Sequence, residues 1–265
     1  MTERTTIKLE TNDGVAVLTL NRPQVLNSIN SALTNEVRAA VKEVAENAEA
    51  RALVITGAGR GFCAGADLAE QSSRPEGMSV GQGVAHGMKT SLNPMMNELY
   101  TLPKPIVSAV NGTVAGGGVG IALVADICIA AKSASFISVF GPRLGLIPDL
   151  GVTWHLPRLV GRARAMGMAL TGDKISAETA AQWGLIWKCV EDAALMDEAM
   201  AIAKKLAKGP TSAFGEIRKA LDTAPHNSYL DQLEYEAVTQ GGLGDHPNFV
   251  EGVKSFLTKK EPNFK

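Results

Sequence analysis

The sequence lacks most of the features that mark secreted, membrane-bound or metal-dependent proteins. It has only three cysteines, Cys63, Cys128 and Cys189, widely spaced and without a CxxC pair. Such usage builds neither a disulfide framework nor a zinc finger, and it fits a reducing compartment. A cytoplasmic location is expected. No apolar run reaches the roughly 20 residues that cross a bilayer. Met1-Thr-Glu-Arg-Thr-Thr contains no hydrophobic signal region. Neither sign of charge dominates: 26 Lys and Arg against 27 Asp and Glu leave a net charge of −1. No basic stripe invites nucleic acid. GxSxG is absent, so a hydrolase elbow is unsupported, and no Gly-Lys-Ser/Thr follows a glycine loop as a Walker motif requires.

What is present is a globular composition: 265 residues, 45% apolar and 20% charged, enough to bury a core in one or two domains. Strand and helix signals alternate in the first half. Residues 14–21 (GVAVLTLN), 52–56 (ALVIT), 106–110, 127–131 and 135–137 predict strands. Leu33, Val37, Val41 and Val44 recur at helical spacing over 31–48, with Asn30 placed as N-cap. The polar, glycine-rich segment 69–88 predicts a mobile loop leading into a helix over 88–101. Gly116-Gly117-Gly118 opens a further helix pattern, VGIALVA. Beyond Trp154 the pattern turns helical, over 163–170, 177–183, 195–207, 211–221, 229–239 and 248–257. This order predicts an α/β core over 1–200 and a helical region over 201–265.

Three segments can carry chemistry. They are Phe62-Cys63-Ala64-Gly65-Ala66-Asp67-Leu68, Asn111 to Gly118, and Gly145-Leu146-Ile147-Pro148-Asp149-Leu150-Gly151. Three glycines at a helix start cost backbone entropy. They suit close helix packing, or free N–H groups aimed at an anion or a developing oxyanion. Asp149 sits in an apolar stretch. It is either a turn residue capping the next helix or a partly desolvated carboxylate of raised pKa, and hence a better base. Cys63 lies among apolar neighbours and reads as a buried, inert thiol. His86, His155, His226 and His246 pair with no nucleophile motif.

FCAGADL, NGTVAGGG and GLIPDLG, in that order and spacing, resemble the crotonase, or enoyl-CoA hydratase/isomerase, superfamily. The resemblance covers essentially the whole chain. It implies an α/β fold, a crotonase-like spiral of ββα units with a C-terminal α-helical trimerisation region. The implied substrate is an acyl-CoA thioester, with coenzyme A as part of the substrate and no metal or redox cofactor. The implied assembly is a homotrimer or a dimer of trimers, without nucleic acid or membrane partners. By motif position the thioester oxygen would meet the N–H groups of Ala66 and Gly117. Contacts to the CoA moiety would come from Arg22, Ala64, Asp67, Leu68 and Gly118, and from Phe256 and Lys259 of a neighbouring subunit. The 69–88 segment and the helix after it would shape the acyl pocket.

The departures from the family pattern bear on the reaction. Hydratases of this family carry a glutamate after the triple glycine, where this chain has Gly120. Their second glutamate falls near Gly141. Water addition in that scheme uses both carboxylates. Asp149 instead matches the aspartate of several non-hydratase branches. The stretch PDLGVTWHLPRLVGRARAMGMALTG is similar to that of the ring-1,2-epoxyphenylacetyl-CoA isomerases of phenylacetate degradation, which also shift double bonds in enoyl-CoA chains. Val152 stands where that branch usually has glycine. The resemblance therefore implies an acyl-CoA isomerase with Asp149 as single acid/base. The competing expectations are hydration by another acid/base set, and a non-catalytic CoA- or RNA-binding scaffold on the same fold.

Overall fold

The apolar, β-branched runs become strands of two sheets. In a computed structural model describing residues 4–68 and 75–265, the strands are β1 (Ile7–Asn12), β2 (Val15–Leu20), β3 (Ala52–Gly57), β4 (Gly61–Cys63), β5 (Ile106–Val110), β6 (Thr113–Ala115), β7 (Ile127–Ala131), β8 (Ser135–Ile137), β9 (Ile175–Ser176) and β10 (Lys188–Val190). The larger sheet runs β1-β2-β3-β5-β7-β10 and the smaller β4-β6-β8-β9. β3 and β4, β5 and β6, and β7 and β8 each form one unit. The first strand of each unit joins the large sheet, the second crosses to the small one, and both sheets pair these strands in parallel. Helices follow the units: α2 (Val80–Gly87) and α3 (Asn93–Tyr100), then α4 (Gly117–Leu123), then α5 (Val152–Thr171). This is the expected spiral of ββα units.

Packing follows the sequence periodicity. α1 (Ser31–Glu46) buries Leu33, Val37, Ala40, Val41 and Val44 on one face, and its N-cap Asn30 accepts a hydrogen bond from Leu33 N at 2.9 Å. Each leucine or valine side chain so buried contributes about 1.5–3 kcal/mol. α6 (Ala177–Trp183) follows β9. α7 (Leu195–Ala207) lies on the large sheet through Leu195, Ala199, Ala203 and Ala207, at four-residue spacing. It straddles residue 200, the expected divide. Beyond it run α8 (Thr211–Thr223), α9 (Tyr229–Gly244) and α10 (Pro247–Thr258). These leave large apolar side chains in solvent, among them Leu221, Leu230, Val238, Phe249 and Phe256.

Three local expectations change. The first strand, β1, pairs antiparallel with β2 at the sheet edge and was not anticipated from its mixed polar sequence. The segment expected as loop to residue 88 is helical from Val80, because Ser79 and Gln82 form a reciprocal capping box. The remainder of that loop, 69–74, lies outside the described residues. α5 starts at Val152, eleven residues before the expected start at 163, and kinks at Gly161, whose φ of 73° breaks the helical path. Among the described residues, no helix is long and apolar enough to cross a membrane.

Candidate active site

The three motifs converge because the ββα units stack. Motif one leaves β4 at Cys63. Its backbone runs beside the loop before α1: Ile29 N donates to Gly65 O at 2.7 Å, and Asp67 N donates to Ile29 O at 2.9 Å. That pairing uses the Gly65 carbonyl and the Asp67 N–H, on either side of Ala66, and leaves Ala66 N–H pointing away. Motif two leaves β6 and turns at Gly116, whose φ of 53° and ψ of −131° a side chain would strain. Gly117 N–H follows in the first turn of α4, where a helix supplies no internal acceptor. The two backbones touch: a Cβ on Gly65 would lie 2.8 Å from Ala115 O and 3.2 Å from Gly117 N. Among the described residues neither Ala66 N–H nor Gly117 N–H has a hydrogen-bond acceptor.

Motif three closes the site. Leu150 and Gly151 take the left-handed conformation, with φ of 49° and 82°. The resulting turn, Val152 N to Asp149 O at 2.9 Å, places Asp149 beside the two donors. A cavity of about 110 Å³ is lined by Ala66, Gly117 and Asp149 together with Ala64, Leu68, Phe140 and other apolar residues. Among the described residues, Asp149 is its sole ionisable lining residue. Burial pushes the Asp149 carboxyl up to about 6, because losing water disfavours the charged form. The helix after it is capped by Gly151 without a side-chain bond. Asp149 is therefore not the capping residue that its turn-like sequence also allowed. A carboxylate poised between its two protonation states, next to two fixed N–H donors, can take and return a proton while an oxyanion is held.

The positions where hydratases carry glutamates are closed here. A Cβ on Gly120 would lie 2.2 Å from Leu150 O, and one on Gly141 would lie 2.9 Å from Ala169 O. Gly118 is equally confined, its Cβ position falling 2.4 Å from Cys63 O. It packs α4 onto β4 and does not line the cavity.

The residues expected at CoA are dispersed. Ala64 lines the cavity, and Leu68 stands at its rim, 72% exposed. Arg22 and Asp67 form a half-buried ion pair at 2.8 Å, and the Arg22 guanidinium also donates to Ser28 O at 2.7 Å. This pair clamps the loop before α1 against motif one, a role not visible in the sequence because the partners are far apart in it. Phe256 is 84% exposed on α10, and Lys259 ends that helix in a left-handed conformation. Neither lines the cavity of their own chain. Cys63 is buried, its thiol pushed up to about 12, as expected for an inert cysteine. Among the described residues, no group of three or more His, Cys, Asp or Glu side chains is placed to hold a metal ion. Sequence reasoning missed Leu150, whose flanking Asp149 and Gly151 drew the attention; its only signal was a large apolar residue inside the turn.

Comparison with known proteins identifies the family. The enoyl-CoA hydratase/isomerase family model matches residues 10–265. A probable enoyl-CoA hydratase of Rhodobacter capsulatus is 45% identical over 98% of this chain and 97% of its own length. The 1,2-epoxyphenylacetyl-CoA isomerase of Escherichia coli is also 45% identical, over 95% of each protein. The crystal structure of an enoyl-CoA hydratase from Bacillus anthracis superposes with a TM-score of 0.90 at 33% identity, covering 98% of this chain and 99% of that one. The chain is thus an enzyme of the enoyl-CoA hydratase/isomerase family.

Proposed function

We propose that this enzyme is an acyl-CoA isomerase that works with one carboxylate. The observation that carries the reading is the pairing of Asp149, the cavity's sole ionisable residue among those described, with the Ala66 and Gly117 donors. On a 3-enoyl thioester, the Asp149 carboxylate removes a proton from C2. The electron pair moves onto the thioester oxygen, which the two N–H groups stabilise. The same carboxyl, now protonated, returns the proton at C4, giving the 2-enoyl thioester. Each donor of this kind is typically worth about 3–4 kcal/mol in the transition state. The same site supports rearrangement of a ring-1,2-epoxyphenylacetyl thioester to the oxepin. The 45% identity to the E. coli isomerase supports this, though a probable hydratase stands equally near.

Against hydration stand the closed positions at Gly120 and Gly141, which carry no carboxylate to activate water, and the cavity lining, which among the described residues holds no second one. Arg22, Ala64, Asp67 and Leu68 are proposed to flank the CoA moiety. The exposed apolar faces of α8–α10 support self-association, in which Phe256 and Lys259 would reach a neighbour's substrate. The test offers the purified protein crotonyl-CoA and, separately, a 3-enoyl-CoA, followed by mass spectrometry and ultraviolet absorbance. Double-bond migration without gain of a water mass from crotonyl-CoA is the expected result. Efficient formation of 3-hydroxybutyryl-CoA would replace the isomerase reading with hydration.

A further inference from the structure

The cavity around Asp149 is not the only apolar space within reach of a bound acyl group. Behind it lies a second one of about 240 Å³, lined among others by Met96, Val124 and Trp154. That space continues past Tyr100 and His155 into a larger groove of about 710 Å³ beneath α8. Between the first and second cavities stands Leu150, the one residue that lines both among the described residues.

Leu150 is built as a partition. It is only 4% exposed. Its backbone is locked from two sides, by the left-handed turn with φ of 49° and by Gly120, on whose missing side chain the Leu150 carbonyl rests. Its side chain lies on Gly117, where a Cβ would come within 2.6 Å of Leu150 Cδ1. The first cavity is small: a dry cavity of about 150 Å³ holds one benzene-sized ligand, and this one is about 110 Å³. The side chains lining the second are mostly apolar or aromatic, with the Asn97 amide and the His155 imidazole beside Tyr100 and Trp154. Burial, with Arg158 nearby, lowers the His155 pKa to about 4, so the ring is neutral and does not repel a hydrocarbon.

We propose that Leu150 is the specificity-determining residue of this site: it confines the acyl group to compact chains or a single ring, and its removal joins the two cavities into a pocket for long chains. This rests on the acyl-thioester reading of the site, although not on the direction of its chemistry. Because Leu150 also packs on an oxyanion donor, truncating it slows every substrate. The ratio between substrates, not the absolute rate, isolates the partition.

The test compares six-carbon and twelve-carbon 3-enoyl-CoA thioesters in the wild type and in Leu150→Ala. The wild type is expected to favour the six-carbon substrate. In Leu150→Ala the ratio of kcat/KM, twelve-carbon to six-carbon, should rise by about tenfold or more, the range a few methylenes command in an apolar pocket. Adding Asn97→Phe, which fills the second cavity from its exposed side, should reverse that gain. If Leu150→Ala folds poorly, Leu150→Gly, which suits the left-handed backbone, gives a change of the same sign. Competition by saturated hexanoyl-CoA and dodecanoyl-CoA for binding gives the same comparison without turnover. If no 3-enoyl-CoA is isomerised yet the binding ratio shifts, the partition stands and the isomerase reading falls. A wild type that takes twelve carbons as well as six, or a ratio unchanged by Leu150→Ala in both assays, overturns the proposal.

Discussion

Gly120→Ala probes the site's architecture without touching a polar group. The added Cβ falls 2.2 Å from Leu150 O and 2.9 Å from Leu150 Cβ. An ordinary carbon–oxygen contact is about an ångström longer, so α4 and the Leu150 turn must separate by roughly that distance. Overpacking of this kind costs about 1–3 kcal/mol of stability. Leu150 adjoins Asp149, so the carboxylate moves with it. A displacement near one ångström at a reacting group costs about 100-fold in rate. The control is Gly167→Ala, in an exposed helical position of α5 where a Cβ meets nothing within 4 Å. That change should stabilise by about 0.5–1 kcal/mol and leave turnover alone. Denaturant unfolding gives the stability term, and the rate of 3-enoyl-CoA isomerisation gives the other. A Gly120→Ala protein with wild-type stability and wild-type kcat/KM would refute this packing of α4 against the Asp149 turn.

Installing both family glutamates, as Gly120→Glu with Gly141→Glu, should not produce a hydratase, since both side chains meet backbone oxygens at their first carbon; efficient hydration of crotonyl-CoA by that variant would contradict the closed geometry. The Asp149 carboxyl ionises near 6 in the folded chain against 3.8 ordinarily, so the folded state holds this proton more tightly. The group's contribution to stability is therefore present below about pH 4 and lost as pH rises through about 6; Asp149→Asn should melt higher than wild type at about pH 8 and match it near pH 4, and kcat/KM should rise with pH to a plateau above about 6. Arg22→Leu removes the 2.8 Å ion pair with Asp67 and the guanidinium bond to Ser28 O and should cost about 1.5–3 kcal/mol of stability; an Arg22→Leu protein as stable as wild type, but weaker for CoA, would make Arg22 a ligand contact instead.

Much of this molecule was legible in its sequence where local preference and final environment agree. The runs VAVLTL and ALVIT become β2 and β3 because both sheet faces there are buried. Asn30 caps α1 as its position indicated, and 177–183 and 195–207 are helices with those bounds. β1 escaped notice because its outward residues alternate polar and half-buried at an edge. α2 escaped because VGQGVAHG has poor helix propensity and depends on one capping box. Pro157 and the Gly161 kink disguised the first half of α5. Asp149 and the two glycine-bearing motifs were visible as chemistry, and they share one cavity. Leu150 was not, because its role comes from a left-handed backbone set against two glycines of a distant helix. The Arg22–Asp67 pairing was hidden for the same reason: it exists only once the loop before α1 meets motif one.

The central claim is that one carboxylate moves the proton both ways. It is tested most directly by giving wild type and Asp149→Asn a 3-enoyl-CoA deuterated at C2, in ordinary water, and following rate and label by mass spectrometry. The account predicts that wild type delivers part of the deuterium to C4 of the 2-enoyl product. Asp149→Asn should fold, bind the thioester and isomerise about 100- to 10,000-fold more slowly, the span of a positioned acid/base. An Asp149→Asn protein that isomerises at the wild-type rate would contradict it.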